Sequence, residues 1–354
     1  MRVFSLSTMT AVAIIGGLLT TPVTAAELPK THIKLIGQHT TQVLHRFLEK
    51  SFFGEEITKM SNGAVTVDLV PYDTVGLKGP EVLRLMKTGA LDFTSNGLTY
   101  LVGDAPQFEG CDLAGLTADL DASRKACNAY KETLSTIMER DWNSKLLAFG
   151  WNPPQAIWCT KKISNMSELK GKKVRVYNTT LTDFVEGAGA TGVTIPYVDV
   201  VPALQRGVTD CAITGTLNGN LSKWFEVAKF LMPTSIGWAP QYWAVNLDTW
   251  NKYPKNLQDF LLKAFEKLED GALKVAKMTE SEGLTCNSGK GKCELGIKSD
   301  VTLVPLTSAD TALRKKIISE KVVPSWAKRC GSACAKNWNA TVGKVLGVTA
   351  PTNF

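Results

Sequence analysis

The chain has 354 residues, which is too long for one ordinary hydrophobic core, so two domains are expected. Hydrophobic residues make up 44% of the chain and charged residues 21%, a balance that is typical of a globular protein. The formal net charge of +7 comes from basic residues scattered among acidic ones, without the dense basic clusters that would indicate a nucleic-acid-binding protein.

The first 26 residues have the pattern of a secretory signal peptide. Arg2 supplies a positive start, residues 9–19 are mostly apolar, and residues 21–26 are small, as a cleavage region requires. The apolar run is shorter than the ~20 residues of a membrane-spanning helix, and no later stretch is long and apolar enough to span a bilayer. We therefore predict export, with no membrane insertion of the mature chain.

Eight cysteines fit an oxidising compartment and favour structural disulfides. No metal site is predicted, because the three histidines all lie near the N-terminus and no CxxC motif is present. The sequence leaves the disulfide connectivity open. Cys286 with Cys293 and Cys330 with Cys334 are close in sequence, and Cys111 and Cys127 flank a short segment. Cys159 and Cys211 lie far apart in sequence, in predicted strands.

The N-terminal half alternates between strand and helix patterns, which predicts an α/β domain with a mainly parallel sheet. In chain order we expect a strand at 33–36, an amphipathic helix at 43–60, a strand at 65–69, a helix from Pro80 to Gly89 and a strand from 91. A polar helix at about 121–143 and a strand at 146–150 follow. The turn at 152–154 contains two prolines and is predicted to cross into a second domain.

The second unit repeats the alternation and then returns to the first. Strands are predicted at 156–160, 173–177, 193–196 and 211–214, with helices at 180–189 and 199–206, and a strand at 242–246 is predicted to rejoin the first unit. A long amphipathic helix covers 257–275, and a C-terminal strand and helix should cover the second domain. The predicted domains are residues 27–152 plus 240–279, and residues 153–239 plus 280–354. Repeated crossings of this kind form a hinge that permits closure around a ligand.

Catalytic signatures are missing from the sequence, so no catalytic residue, enzyme activity or cofactor is predicted. There is no G-x-S-x-G elbow, H-E-x-x-H motif, Walker A loop or G-x-G-x-x-G turn. His39 or His45 with a cysteine could suggest thiol catalysis, but oxidised structural cysteines are favoured in an exported chain.

Arg175 is a candidate anchor for an anionic ligand. Strand alternation places Val174 and Val176 on one face and Arg175 on the other, where a buried guanidinium needs an anionic partner. A ligand carboxylate matches its planar fork, but an internal salt bridge is the alternative. Aromatic residues around Trp238 and Tyr242 suit a cleft wall, although simple core packing explains them equally well.

Three segments together resemble one protein family. They are residues 169–176 (LKGKKVRV), 189–196 (GATGVTIP) and 201–210 (VPALQRGVTD). Together with residues 75–93 upstream, they resemble the solute-binding proteins of TRAP (tripartite ATP-independent periplasmic) transporters, of the dicarboxylate-binding-protein type. The resemblance implies a two-lobe α/β periplasmic-binding-protein clamshell with mixed, mainly parallel sheets and a long interdomain helix. It also implies a periplasmic protein that captures a small organic carboxylate and delivers it to a TRAP membrane permease.

The resemblance also assigns site residues. The carboxylate-clamping arginine of the family falls on Arg175, and a less uniform polar position falls on Gln155, whose neutrality favours one strongly held carboxylate over two. The family's asparagine falls near Thr214, and this departure argues against a standard sialic-acid or dicarboxylate ligand. The predicted ligand-binding residues are Arg175, Gln155, Thr214, Trp238 and Tyr242, with Gln38, His39, Asn96 and Tyr100 from the first domain and Tyr72 as a weaker candidate.

Two other functions stay open on the sequence. One is a periplasmic enzyme in which Arg175 orients a carboxylate substrate, and the other is a sensory binding protein that presents its ligand to a receptor.

Overall fold

The computed structural model describes residue 1, residues 27–101 and residues 105–354. Apart from Met1, the predicted signal peptide lies outside these described residues. Within them, no helix combines the length and the apolar character that crossing a bilayer requires.

Strands in the described part of the chain form two separate mixed sheets. The first sheet has the order β2-β1-β3-β10-β4 and the second β11-β9-β5-β8-β6-β7. The strands are β1 (Thr31–Gly37), β2 (Val65–Pro71), β3 (Phe93–Gly97), β4 (Ser144–Gly150), β5 (Gln155–Cys159), β6 (Lys173–Val176), β7 (Thr191–Thr194), β8 (Cys211–Gly215), β9 (Phe230–Met232), β10 (Gln241–Asn246) and β11 (Thr302–Leu303).

Both sheets combine parallel and antiparallel pairs. In the first, β1 runs parallel to β2 and β3, whereas β10 is antiparallel to β3 and β4. In the second, β6 runs parallel to β7 and β8, β11 runs parallel to β9, and β5 is antiparallel to β8 and β9. The antiparallel strands are those next to the crossings between the sheets.

Helices surround both sheets. The α-helices are α1 (Ile57–Met60), α2 (Val82–Lys87), α3 (Leu120–Trp142), α4 (Thr179–Gly187), α5 (Val200–Gln205), α6 (Thr216–Leu221), α7 (Leu247–Lys252), α8 (Lys255–Ser288), α9 (Ser308–Ile317), α10 (Val323–Cys330), α11 (Ser332–Trp338) and α12 (Lys344–Leu346). π-helical segments cover His45–Glu49, Phe52–Glu56, Ile318–Val322 and Asn339–Gly343, and 3₁₀ turns cover Tyr72–Val75, Leu98–Leu101, Pro106–Glu109, Met166–Leu169, Tyr197–Asp199 and Trp224–Glu226.

The chain passes between the two sheets at the positions where the sequence predicts crossings. It leaves the first sheet after β4, enters the second at β5 through residues 151–154, and returns through residues 233–240 into β10. We call the part built on the first sheet the first lobe and the part built on the second sheet the second lobe. The residue boundaries of the two domains stay predictions.

Helix α8 is the predicted long interdomain helix. Its 34 residues span about 50 Å at an α-helical rise of 1.5 Å per residue. Its N-terminal part packs with Phe53 and Phe93 through Phe265, and its C-terminal part packs on α6 of the second lobe. The two-lobe α/β fold expected from the sequence is therefore confirmed.

The C-terminal helices contact both lobes, whereas the sequence places them over the second domain alone. Strand β11 does extend the second sheet beside β9. Beyond it, the indole N–H of Trp326 donates to the carbonyl of Pro106 at 2.8 Å, and the indole N–H of Trp338 donates to Gly110 at 2.6 Å. Both acceptors precede α3, the helix that leads into β4 of the first sheet. Two buried tryptophans thus tie the C-terminus to the first lobe.

All eight cysteines form disulfides: Cys111–Cys127, Cys159–Cys211, Cys286–Cys293 and Cys330–Cys334. The expectation of structural disulfides is confirmed. Cys159 and Cys211 are far apart in sequence, but they are register partners on the neighbouring strands β5 and β8, which explains how they meet.

Close packing of α8 on α6 gives a stability prediction. A Cβ on the buried Gly283 would meet the hydroxyl of Thr216 and would lie 2.7 Å from the backbone nitrogen of Leu217. Gly283→Ala should lower the free energy of unfolding by about 1–3 kcal/mol, because backbone cannot move aside as a flexible side chain can. Denaturant titration measures this change.

The matched control is Gly54→Ala in the π-helical segment Phe52–Glu56, where an added Cβ meets nothing within 4 Å beyond its chain neighbours and the local helix backbone. This change should be neutral or should stabilise by up to ~1 kcal/mol, because alanine is the better helix former. Equal effects of the two substitutions would contradict the packing explanation.

Candidate functional site

A cavity lined mostly by polar side chains lies between the lobes. Many of its residues lie at or just beyond strand ends, where ligands bind in open α/β sheets. The lining is Gln38, Gln42, Tyr72, Asn96, Gly97, Thr99 and Tyr100 from the first lobe, Gln155, Arg175, Tyr177, Tyr197, Thr214 and Asn218 from the second, and Asn152, Ala239 and Gln241 at the crossings.

Arg175 is fully buried on β6 and lines the cavity. Its Nε donates to the carbonyl of Ile195 at 2.8 Å, and its Nη1 donates to the carbonyl of Ile213 at 2.9 Å. Its Nη2 is buried and has no hydrogen-bond partner among the described residues. No described carboxylate forms an ion pair with this guanidinium. Two carbonyls therefore fix the side chain, and one nitrogen is left available.

Aromatic rings surround this guanidinium. Its central carbon lies 5.3 Å from the ring centroid of Tyr177, which in turn meets Tyr100 edge-on at 6.2 Å. Burial lowers the pKa of Arg175, and the neighbouring tyrosines oppose that shift. Burial also raises the pKa of Tyr100, and raises that of Tyr197 to about 12. At neutral pH the tyrosines are therefore uncharged groups around one cation.

Gln155 forms its hydrogen bonds within the protein. Its Oε1 accepts from the hydroxyl of Tyr177 at 3.2 Å, and its Nε2 donates to the carbonyl of Pro153 at 3.0 Å. Gln155 therefore orients Tyr177 and presents a neutral surface to the cavity.

Gln38 differs from Gln155, because neither polar atom of its side chain has a partner among the described residues. The side chain is 1% exposed and follows the end of β1. Its backbone N–H donates to Oε2 of Glu49 at 3.1 Å. Glu49 is itself fully buried, and its Oε1 accepts from the hydroxyl of Ser95 and from the indole of Trp243 at 2.9 Å. One buried carboxylate thus ties the ends of β1 and β3 to β10.

Asn96 and Tyr100 shape the first-lobe wall. The Nδ2 of Asn96 donates to the carbonyl of Gly79 at 2.8 Å, and its Oδ1 accepts from the backbone N–H of Gly97 at 2.8 Å. Gly79 has a φ of +104°, and a Cβ there would lie 2.9 Å from the ring of Tyr100. Glycine is therefore required at position 79 both for backbone conformation and for ring packing.

Asn218 at the start of α6 connects the lobes, and sequence reasoning missed it. Its Oδ1 accepts from the backbone N–H of Val43 at 3.0 Å, and its Nδ2 donates to Gln42 at 2.5 Å and to Asn152 at 2.9 Å. No sequence motif marks this residue. Tyr177 was also missed, although its spacing of two residues from Arg175 along a strand could have indicated a shared face.

Six of the nine predicted ligand-binding residues line the cavity: Arg175, Gln155, Thr214, Gln38, Asn96 and Tyr100. Tyr72, the weaker candidate, lines it as well. Three do not. Trp238 and Tyr242 are buried in the hydrophobic core, and His39 lies behind the lining, with its ring 5.6 Å from Tyr72 and 5.2 Å from Tyr197. Which of these residues contact a ligand remains a prediction.

Metal-ligating atoms come within 4.8 Å of one another in one group of described residues, Glu282, Cys286 and Cys293. Both sulfurs belong to a disulfide and are therefore not thiolate ligands. Glu282 accepts instead from the backbone N–H groups of Glu294 and, at 2.8 Å, Leu295.

Two sheet-containing lobes with a buried polar cavity between them define a two-lobed solute-binding protein. Residues 38–295 match the family described as bacterial extracellular solute-binding protein, family 7, and the chain belongs to this family. The resemblance to TRAP solute-binding proteins is thus confirmed, and the family is extracytoplasmic. Its members are binding proteins.

Three relatives illustrate the match. A solute-binding protein of Albidiferax ferrireducens is 26% identical over 235 residues, which cover 64% of this chain and 67% of that protein. A TRAP solute-binding protein of Desulfovibrio salexigens, solved with orotic acid, has a TM-score of 0.77 at 20% identity, over 89% of this chain and 99% of its own. The Bordetella pertussis receptor DctP7, which binds pyroglutamic acid, has a TM-score of 0.76 at 20% identity, over 88% of this chain and 99% of its own.

Asp112 holds the returning crossing beside the cavity. Its Oδ1 accepts from the backbone N–H of Trp238 at 3.2 Å and from the hydroxyl of Thr117 at 3.2 Å, and its Oδ2 accepts from the N–H of Ala239 at 3.0 Å. Burial raises the pKa of Asp112 to about 6, although these hydrogen bonds lower it. The carboxyl therefore holds a proton in the folded protein at pH values where it is ionised in the unfolded chain.

This shift predicts how stability depends on pH. The folded state binds more protons than the unfolded state between pH 4 and pH 6. The contribution of Asp112 to the free energy of unfolding is therefore largest below pH 4 and is lost as the pH rises through 6. Relative to Asp112→Asn, which does not titrate, the wild type should lose roughly 3 kcal/mol of unfolding free energy between pH 4 and pH 7. Parallel pH profiles of the two proteins in urea titrations would contradict this prediction.

Proposed function

We propose that this protein captures a small organic carboxylate between its lobes, with Arg175 as the carboxylate anchor, and delivers it to a TRAP-type membrane permease. The observation that carries the proposal is the buried Nη2 of Arg175, which lines the cavity without a partner among the described residues. A buried cation is costly unless an anion accompanies it, and a carboxylate suits a guanidinium better than any neutral group does. No described acidic residue supplies that anion, which argues against the internal salt-bridge alternative.

Chemistry of the relatives' ligands supports the same proposal. Orotic acid and pyroglutamic acid, bound by the Desulfovibrio and Bordetella proteins, each combine one carboxylate with a cyclic amide. The cavity described here pairs one cation with neutral amides and phenols. A single carboxylate on an otherwise neutral body suits that arrangement.

Closure of the lobes would complete the site. Besides the contacts of Asn218, the hydroxyl of Thr41 lies 2.5 Å from that of Ser222, and the Nζ of Lys78 lies 3.0 Å from the carboxylate of Asp199 in the other lobe. These bonds exist only when the lobes are together, so the conformation described here is a closed one. A ligand favours closure only through its higher affinity for that state, and expulsion of water strengthens its pairing with the guanidinium.

The permease and the secretion step belong to the same proposal. A closed binding protein presents a different surface from an open one, and we propose that the permease recognises the closed form. Cleavage of the signal peptide at about residue 26 would release the mature chain into the periplasm. The enzyme and sensory alternatives differ from this proposal in requiring turnover of the bound acid or a receptor in place of the permease.

Replacement of Arg175 tests the anchor. For the organic acid that gives the largest thermal shift in a screen, Arg175→Ala should weaken binding about 100- to 1,000-fold in calorimetry, because it removes the only described charged group of the lining. The variant should still fold, since the guanidinium forms no ion pair with a described residue that would be broken.

The control is Arg206→Ala, which removes an exposed arginine of the same lobe. Within the described residues its side chain hydrogen-bonds only the carbonyl of Pro202, at 3.2 Å. It should bind the acid with wild-type affinity. Near-wild-type affinity of Arg175→Ala, or an equal loss in both variants, would refute the anchor role.

A further inference from the structure

We propose that the cavity selects monocarboxylates that also carry a neutral group with both a hydrogen-bond donor and an acceptor, and that Gln38 recognises this second group. The inference rests on the proposed function, because it assumes that Arg175 binds the carboxylate. It adds which acids are accepted, which are rejected, and which first-lobe residue decides between them.

Gln38 is distinguished by its unused hydrogen-bonding capacity. Its Oε1 and Nε2 are both buried and both lack a partner among the described residues, and the side chain lines the cavity. Leaving such buried groups unpaired is costly, and native proteins rarely do so without a functional reason. A carboxamide has an acceptor and a donor side by side, so a lactam, an amide or a hydroxyl can satisfy both.

The other amides of the lining already have partners. Gln155 binds Tyr177 and Pro153, Asn96 binds the backbone at Gly79 and Gly97, and the Nδ2 of Asn218 donates to Gln42 and Asn152. Gln42, Asn152 and Gln241 each bond through at least one polar atom, to Asn218 or to the carbonyl of Ala239. Gln38 is therefore the side-chain amide of the described lining with neither polar atom bonded.

The backbone that carries Gln38 is fixed in place by Glu49. Oε2 of this buried carboxylate accepts from the backbone N–H of Gln38 at 3.1 Å, and Oε1 is held by Ser95 and Trp243. A Cβ on the preceding Gly37 would lie 2.9 Å from Oε2 of Glu49 and would also meet the side chain of Leu69. The approach of Glu49 thus requires glycine at position 37, and Gln38 is positioned before a ligand arrives.

Charge determines which acids are rejected. Arg175 is the only charged residue of the described lining, and Gln38, Asn96 and the four tyrosines are neutral. A second carboxylate would be buried without a second cation, and an ammonium group would be buried without an anion. Burying either unpaired charge costs more free energy than one hydrogen bond contributes, so dicarboxylates and amino acids should bind weakly.

Four acids of similar size separate these possibilities: pyroglutamate with a lactam, cyclopentanecarboxylate with no second polar group, proline with an ammonium, and glutarate with a second carboxylate. Calorimetry with the mature wild-type protein should give pyroglutamate at least a tenfold lower Kd than each of the other three. Equal affinities, no detectable binding of pyroglutamate, or a preference for another of the four would overturn the inference.

Gln38→Leu then identifies the residue responsible. It should weaken pyroglutamate binding at least tenfold and leave cyclopentanecarboxylate unchanged or tighter, because only the lactam loses partners. The control Gln205→Leu, on the exposed face of α5, should alter neither affinity. Equal weakening of both acids by Gln38→Leu would indicate a structural role and would overturn the assignment.

The result that would contradict the proposed function differs from the results that would overturn the role of Gln38. If acids bind to the wild type and bind to Arg175→Ala with near-wild-type affinity, the carboxylate anchor itself is wrong. If Arg175→Ala abolishes binding while Gln38→Leu leaves the ranking of the four acids unchanged, the anchor role of Arg175 is supported and the role of Gln38 is contradicted.

Discussion

The site depends on a buried positive charge that no described acidic residue neutralises. Two backbone carbonyls, of Ile195 and Ile213, accept from Arg175, and they fix the plane of the guanidinium without cancelling its charge. The rings of Tyr177 and Trp224 lie within 6.0 Å of its central carbon and stabilise the cation through their faces. Because burial disfavours an unpaired charge, the ligand proposed for this cavity is an anion.

Each lobe positions its part of the cavity through a polar side chain buried beneath it. In the first lobe Glu49 joins Gln38, Ser95 and Trp243, which fixes the ends of three strands relative to one another. At the second lobe's edge Asn218 bonds to Val43 of the first, so the closed arrangement has a defined register. Such fully bonded polar groups specify one geometry more sharply than apolar packing does.

The C-terminal helices also connect the two lobes. Arg329 of α10 pairs with Asp183 of α4 at 2.8 Å and lies 3.5 Å from Glu109, which also accepts from the backbone N–H of Thr180 at 2.7 Å. Burial raises the pKa of Glu109 to about 7. A first-lobe carboxyl is thereby joined to the N-terminus of a second-lobe helix, and movement between the lobes must rearrange this cluster.

Local patterns in the sequence determined the elements, the two crossings and the candidate arginine, because strand and helix periodicity and turn residues act over short distances. The ordered motifs around Arg175 also identified the family. Tertiary structure alone decided that Trp238 and Tyr242 pack in the core, and that Asn218 reaches Val43 from 175 residues away in sequence. Only the fold could reveal that the Gln38 side chain has no hydrogen-bond partner among the described residues, because a missing contact depends on every neighbour in space rather than on neighbours in sequence.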